Sequence, residues 1–216
     1  MLPFVVFLGM NRLARYSTEL CHLCAQPFIP DAATADGLCH RCQEELLEHC
    51  TPISVPHVDL EIPVVAATVY EGPIVALFES VKRRGHHRPL RFVARSMLGE
   101  VLESATGPLY PIPASSRGKR SRGFDQMLLI AGHTGREHQS LFLRRRGRQQ
   151  KQLNRQLRLR NAENALILHP RRRPRFASGV IIDDVLTTGA TVSRAVSLLR
   201  ETEVVPTAVI VIAVAL

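Results

Sequence analysis

Apolar residues along this chain fall into short β-branched runs and longer stretches with helical spacing. Val64 to Tyr70 reads as a strand, and Pro73 to Val81 carries Ile74, Leu77, Phe78 and Val81 at helical intervals before a stop at Gly85. Leu90 to Leu102 reads as a second amphipathic helix, Pro108 to Pro113 as a strand ending in a turn, and Met127 to Gly132 as the start of another helix. Val180, Ile181 and Ile182 follow Gly179 with no polar interruption, as a strand buried on both faces requires. A helical pattern through Val192, Ala195, Val196 and Leu199 comes next. Val204 to Leu216 is nearly all apolar and suits a strand inside a sheet. The order fits an open α/β sheet, and no internal repeat interrupts it.

Polar and proline-rich stretches separate these elements. Residues 1–20 read as a tail and 51–63, with Pro52, Pro56 and Pro63, as a linker. Between them, Cys21-x-x-Cys24 and Cys39-x-x-Cys42 stand fourteen residues apart. Two such knuckles offer four sulfurs in the tetrahedral array that structural Zn²⁺ prefers, which predicts a small zinc ribbon over residues 21–50. Two disulfides are the alternative, but nothing else in the chain points to an oxidising compartment. His22 and His40 lie inside the knuckles as substitute ligands, unnecessary beside four cysteines. A closed four-sulfur site supports folding or binding rather than catalysis. Cys50 closes the helix-like Gln43 to His49 and reads as a small buried hydrophobe, and the tandem His86 and His87 read as surface residues.

The chemistry concentrates after the apolar run at 180–182. Asp183 and Asp184 follow it directly, where open α/β sheets place their ligands. Thr187, Thr188, Gly189, Ala190 and Thr191 then lead into the helical pattern. A hydroxyl- and glycine-rich turn at a helix start presents free N–H groups and the positive end of the helix dipole, an anion site best suited to phosphate. The paired carboxylates cannot bind that anion, so they serve sugar hydroxyls, a metal, or both. Phosphate beside hydroxyls describes a ribose 5-phosphate.

Charge sharpens this picture. The chain carries a net charge of +9, and Lys82 to Arg175 holds 23 Lys and Arg against 5 Asp and Glu, a local balance of +18. Such a balance suits polyphosphate ligands or nucleic acid, with a merely solubilising basic face as the alternative. Within it, Ser115 to Gln126 sets Arg117, Lys119, Arg120 and Arg122 among serines and glycines, which reads as a loop and a second anion pocket. Arg144 to Arg160 interleaves cations with glutamines and buries little, so it reads as an extended or mobile segment. It would either close over a polyphosphate or grip a nucleic-acid backbone through Arg144, Arg145, Arg146, Arg148, Lys151 and Arg155. Arg171 to Arg175 reads as a basic turn. No run is long enough for a membrane span, and the opening apolar residues precede Arg12 and Arg15, the wrong order for a secretory signal. The expected compartment is the cytoplasm.

The apolar run Val180 to Ile182, two acids and, after Val185-Leu186, Thr-Thr-Gly-x-Thr resemble the phosphoribosyl pyrophosphate (PRPP) signature of type I phosphoribosyltransferases. With the two Cys pairs, Lys82-Arg83-Arg84-Gly85, and Pro-Ile-Pro running to Arg122-Gly123-Phe124-Asp125-Gln126, the chain resembles the ComF family from about residue 20 onward. Gln152-Leu153-Asn154-Arg155 with Arg160-Asn161 is similar to that family's Gln-x-x-Leu-Ser-Arg…Arg-x-Asn region. Asp125 stands where the family has Asn, and Asn154 where it has Ser.

The resemblance implies a Rossmann-like parallel sheet flanked by helices over 64–216 and a role in DNA uptake during transformation or in nutrient use of DNA. It implies PRPP bound with Mg²⁺: Asp183 and Asp184 on the ribose and the developing positive charge, residues 187–191 on the 5-phosphate. Lys82, Arg117, Lys119, Arg120 or Arg122 would meet the pyrophosphate. Purine-salvage relatives carry an acid where this chain has Thr187, which argues against that substrate class. Three functions compete: a phosphoribosyltransferase with an unknown acceptor, a PRPP- or nucleotide-sensing protein without turnover, and a single-stranded DNA-handling module working with other DNA-uptake proteins.

Overall fold

A computed structural model describes residues 17–56, 60–145 and 166–216. Two short strands, β1 (Glu19–Leu20) and β2 (Pro27–Phe28), pair antiparallel ahead of helix α1 (His40–Glu48). Then come β3 (Ile53–Ser54), β4 (Val64–Val69) and α2 (Gly72–Arg84). A three-part helical run, α3 (Pro89–Phe92), a π-helical turn over Val93–Met97 and α4 (Gly99–Glu103), leads to β5 (Leu109–Pro111). Helices α5 (Ser116–Arg122) and α6 (Gln126–His133) precede β6 (Phe142–Arg144) and β7 (Leu166–Leu168). The chain closes with β8 (Ser178–Leu186), α7 (Ala190–Arg200) and β9 (Val205–Val214).

Five strands form one sheet in the order β3-β4-β9-β8-β5, in which β4, β9, β8 and β5 run parallel and β3 joins the edge antiparallel. The two apolar runs at 180–182 and 208–214 therefore lie side by side inside the sheet, as their lack of polar interruption anticipates. Successive residues point to opposite faces. Val180, Ile182, Ile210 and Ile212 pack with α2, α3 and α6 through Leu77, Leu90 and Ile130, whereas Ile181, Val209 and Val211 pack with α7 through Val192, Ala195 and Leu199. The result is a mixed α/β fold with a helix-covered parallel sheet. Among the described residues no helix is long and apolar enough to cross a membrane.

The cysteine-bearing segment shares this core. Cys21, Leu38, Cys42 and Leu46 belong to the cluster built on α2 and α3. Ser80 donates to the His22 carbonyl, Arg88 pairs with Glu19 and donates to the Ala35 carbonyl, and Arg91 pairs with Asp36. Within the stretch read as a linker, Ile53 and Ser54 pair with Ala66 and Val65 of β4.

Two elements differ from expectation. The single helix expected over Leu90 to Leu102 is broken by the π-helical turn, in which the Leu98 N–H donates to the Val93 carbonyl at 3.0 Å. Buried pairs recur there at 93/94, 97/98 and 101/102, every four residues, a spacing slightly longer than the α-helical turn that an underwound turn accommodates. The expected loop at 115–123 is helix α5. The Ser115 side chain caps it by accepting from the Gly118 N–H at 3.1 Å, and Gly123 ends it in the left-handed conformation. Arg144 lies in β6, paired with Leu166. Arg146, Arg148, Lys151, Arg155 and the Gln152–Asn161 similarity lie outside the described residues.

Strands β5 and β8 meet closely at Gly179, where a Cβ would lie 2.5 Å from the Pro108 carbonyl and 2.7 Å from the Tyr110 ring. Gly179→Ala is predicted to destabilise the fold by about 1–3 kcal/mol, read as a lowered urea midpoint with unchanged slope.

Candidate functional site

The carboxylates at 183 and 184 sit near the C-terminal tip of β8, which runs two residues beyond them. Strand alternation sends the two side chains to opposite faces. Asp184 turns toward α2 and α6. Its Oδ2 receives Lys82 Nζ at 2.7 Å and the Gln126 amide, while its Oδ1 accepts from the Val185 N–H at 2.7 Å. Asp183 is only 7% exposed, and its Oδ1 accepts from the Asp184 N–H at 2.9 Å. Burial first, and the neighbouring Asp184 charge second, push the Asp183 carboxyl up to about 8, with Arg144 and Lys82 opposing. The adjacent acids are thus unequal: one is held by a lysine and an amide, the other favours its proton.

Past the strand, residues 187–189 turn the chain into α7. Gly189 adopts φ +75 at the N-cap of α7, a left-handed conformation that glycine takes without strain. Ala190 and Thr191 open the helix, so their N–H groups have no partner in a preceding turn. A cleft of about 100 Å³ lies here, lined by Arg144, Asp183, Asp184 and the whole of 185–192. Arg144, grouped on sequence with the nucleic-acid cations, reaches it from β6 while donating from Nε to the Pro113 carbonyl at 2.8 Å. The wall thus combines helix N–H groups, three threonine hydroxyls, a guanidinium and two carboxylates, a set able to hold an anion beside hydroxyl donors.

The expected second pocket is distributed differently. Arg117, Lys119, Arg120 and Arg122 all lie on α5, and none lines the cleft. Lys119 pairs with the buried Asp125 at 2.6 Å, and Arg122 folds over Gly118 toward the Phe124 ring. Asp125 also caps α6 by accepting from the Met127 N–H and accepts from the Ala114 N–H. Its extra negative charge relative to Asn therefore has a partner. Gln126, buried at the first position of α6, does not stand out as a site residue in the sequence. It carries the connection onward from the Lys119–Asp125 pair to Asp184, and its own Oε1 has no partner among the described residues. Only the run Arg-Gly-Phe-Asp-Gln hints at it, since the contact spans 58 residues of sequence.

A separate cluster joins Cys21, Cys24, Cys39 and Cys42, whose sulfurs all lie within 4.8 Å of one another, positioned to bind one metal ion. The Cys21 sulfur accepts from the Leu23 and Cys39 N–H groups. Burial raises the Cys21 thiol, but these donors outweigh it and bring it down to about 7, a thiolate-favouring environment. Burial pushes Cys42 and Cys39 up, and Cys50, clear of the cluster, up to about 11. His40 pairs with Asp31 at 2.8 Å and His22 stacks on His86, so neither ring completes the cluster.

No protein-family model matches the sequence. The chain is 27% identical to the DNA utilization protein YhgH of Salmonella typhimurium across an alignment of 206 residues, which covers 83% of this chain and 90% of that protein.

An acid whose carboxyl is raised in the fold stabilises it most while protonated, and that stability is lost as pH rises from the unfolded value toward 8. Asp183→Asn is therefore predicted to raise Tm relative to the wild type, by an increment that grows between about pH 5 and pH 8. Parallel melting curves across that range check the sign.

Proposed function

We propose that this protein binds PRPP with Mg²⁺ on a phosphoribosyltransferase-like domain (residues 64–216) joined to a zinc ribbon (residues 21–50), and that it acts in the uptake or use of DNA. The observation that carries the reading is the joining of Asp183 and Asp184 to the 187–191 turn in one cleft at the carboxyl ends of parallel strands. Similarity to a protein named for DNA utilization supports the biological setting. The cytoplasm is the compartment that goes with this role, beside other DNA-uptake proteins.

In this reading the N–H groups and hydroxyls of Thr187, Thr188, Gly189, Ala190 and Thr191 hold the 5-phosphate. Asp183 and Asp184 accept from the ribose hydroxyls and favour positive charge at the anomeric carbon as its bond to pyrophosphate lengthens. Lys82, which sits on Asp184 at 2.7 Å, leaves that carboxylate for the pyrophosphate, joined by the α5 cations Arg117, Lys119, Arg120 and Arg122. Mg²⁺ bound with PRPP would add charge neutralisation on the pyrophosphate. Arg144 at the cleft wall and exposed Arg145 begin the cationic segment continuing through Arg146, Arg148, Lys151 and Arg155, assigned to a polyphosphate or a single DNA strand.

Saturating PRPP with Mg²⁺ is expected to stabilise the wild type by about 2.7 kcal/mol at 100 times Kd. Asp184→Asn is expected to weaken that binding at least about tenfold, or 1.4 kcal/mol. Unchanged affinity in the variant would reject the assigned role. Pyrophosphate release, measured with and without single-stranded DNA, separates an enzyme from a sensing protein.

The four thiols fit zinc. Sulfurs about 2.3 Å from a tetrahedral Zn²⁺ lie about 3.8 Å apart, and the Cys24 and Cys39 sulfurs stand at 3.8 Å. Because this cluster shares its core with α2 and α3, a strong chelator is predicted to lower Tm of the whole chain, with one zinc released per molecule in a colorimetric assay.

A further inference from the structure

The turn between β7 and β8 has a feature that the PRPP reading does not use. Arg171, Arg172, Arg173 and Arg175 are all exposed, and among the described residues none pairs with a carboxylate. Four like charges within five residues repel one another, yet the backbone carrying them is held. Buried Gln139 commits both ends of its amide to it, donating to the Arg173 carbonyl at 2.6 Å and accepting from the Arg175 N–H at 2.9 Å. Arg172 donates to the Ser140 carbonyl at 2.8 Å, and the Arg171 N–H donates to His169 Nδ1 at 3.2 Å. Arg175 lies over the Phe176 ring.

Beside the turn lies a cleft of about 360 Å³ lined by Leu128, His138, Gln139, Ser140, Arg172 and Arg175. It opens at the N-terminal end of β8, and Asp183 and Asp184 lie five and six residues along that strand from Ser178, about 17 to 20 Å away. The lining holds no carboxylate, and the nearest acid in sequence, Glu137, does not line it. An anchored backbone carrying guanidiniums without counter-charge loses little main-chain freedom on meeting an anion, and the planar forks match phosphate oxygens. The array is spread along an open surface rather than closed around one point, which suits phosphates in a row.

We propose that the arginine turn and the His138–Ser140 cleft form a second anion site, distinct from the PRPP cleft, that takes the phosphate groups of a linear polyanion. The ligand is a single DNA strand, a choice that rests on the DNA-use reading above; inorganic polyphosphate presents the same chemistry. Arg172 and Arg175 contact successive phosphates, and Gln139 is a positioning residue.

The test is fluorescence anisotropy with a labelled oligothymidine of about 16 nucleotides, and competition by inorganic polyphosphate, in about 50 and 200 mM KCl. Arg172→Ala/Arg175→Ala is expected to bind at least about tenfold more weakly, with the log–log salt slope shallower by about 0.7 for each phosphate no longer neutralised. Arg83→Ala/Arg200→Ala removes the same charge elsewhere and is expected to keep the slope. Gln139→Ala, which frees the turn, is expected to weaken binding while leaving the slope intact. Wild-type affinity and slope in the Arg172/Arg175 variant, an equal loss in the control, or no binding of either polyanion by the wild type would overturn the site. Arg-dependent binding of polyphosphate without oligothymidine keeps the site and rejects DNA as its ligand. Stabilisation by PRPP with Mg²⁺ reads the other cleft; its absence alongside Arg-dependent DNA binding would reject the PRPP reading alone.

Discussion

Two adjacent carboxylates near the tip of a buried strand are the constraint that the rest of this structure answers. A pair of acids in low dielectric cannot both ionise without compensation, because desolvation and mutual repulsion act together. The fold compensates unequally. Asp184 receives Lys82 from α2, the Gln126 amide from α6 and a backbone N–H, whereas Asp183 has one backbone N–H and the field of Arg144. That division follows from strand alternation, which exposes each acid to a different covering layer. It also assigns structural purpose to elements far apart in sequence: α2 ends where its Lys82 meets β8, and α6 begins where Gln126 does.

The same logic extends outward. Gln126 can donate to Asp184 only if α6 starts at the right place, and Asp125 fixes that start by capping the helix while Lys119 neutralises it. α5 therefore works as a support for the acid pair as well as a cationic surface. The cysteine-bearing segment secures α2 and α3 through contacts of its His22, Ala35 and Asp36 with Ser80, Arg88 and Arg91. A metal there would stabilise the helix that carries Lys82, which links a structural site to the chemical one without direct contact.

Much of this is legible in the sequence where a residue's role is local. Val180 to Ile182, the terminal apolar run, Gly85 and the Cys pairs each declare their environment through neighbours a few residues away. The turn at 187–191 does the same, since a glycine and hydroxyl residues ahead of a helical pattern need no distant partner to mark a helix start. Helix α5 escapes because none of its residues is buried, so it has no apolar stripe; only its caps, Ser115 and Gly123, signal it. The π-helical turn escapes because a four-residue repeat differs from 3.6 by too little to notice over three turns. Gln126 and Lys82 meet Asp184 across 58 and 102 positions, and the placement of Arg144 at the cleft depends on β6 pairing with β7. Such contacts exist only after the sheet has assembled.

The central claim is that the unequal acid pair awaits a sugar phosphate whose hydroxyls would favour the ionised form of Asp183. Titration calorimetry with PRPP and Mg²⁺ near pH 7, repeated in buffers of different ionisation enthalpy, tests it directly. The account predicts saturable one-to-one binding with proton release in the wild type and little release in Asp183→Asn. Heats that do not saturate, or binding whose enthalpy is the same in every buffer, would contradict it.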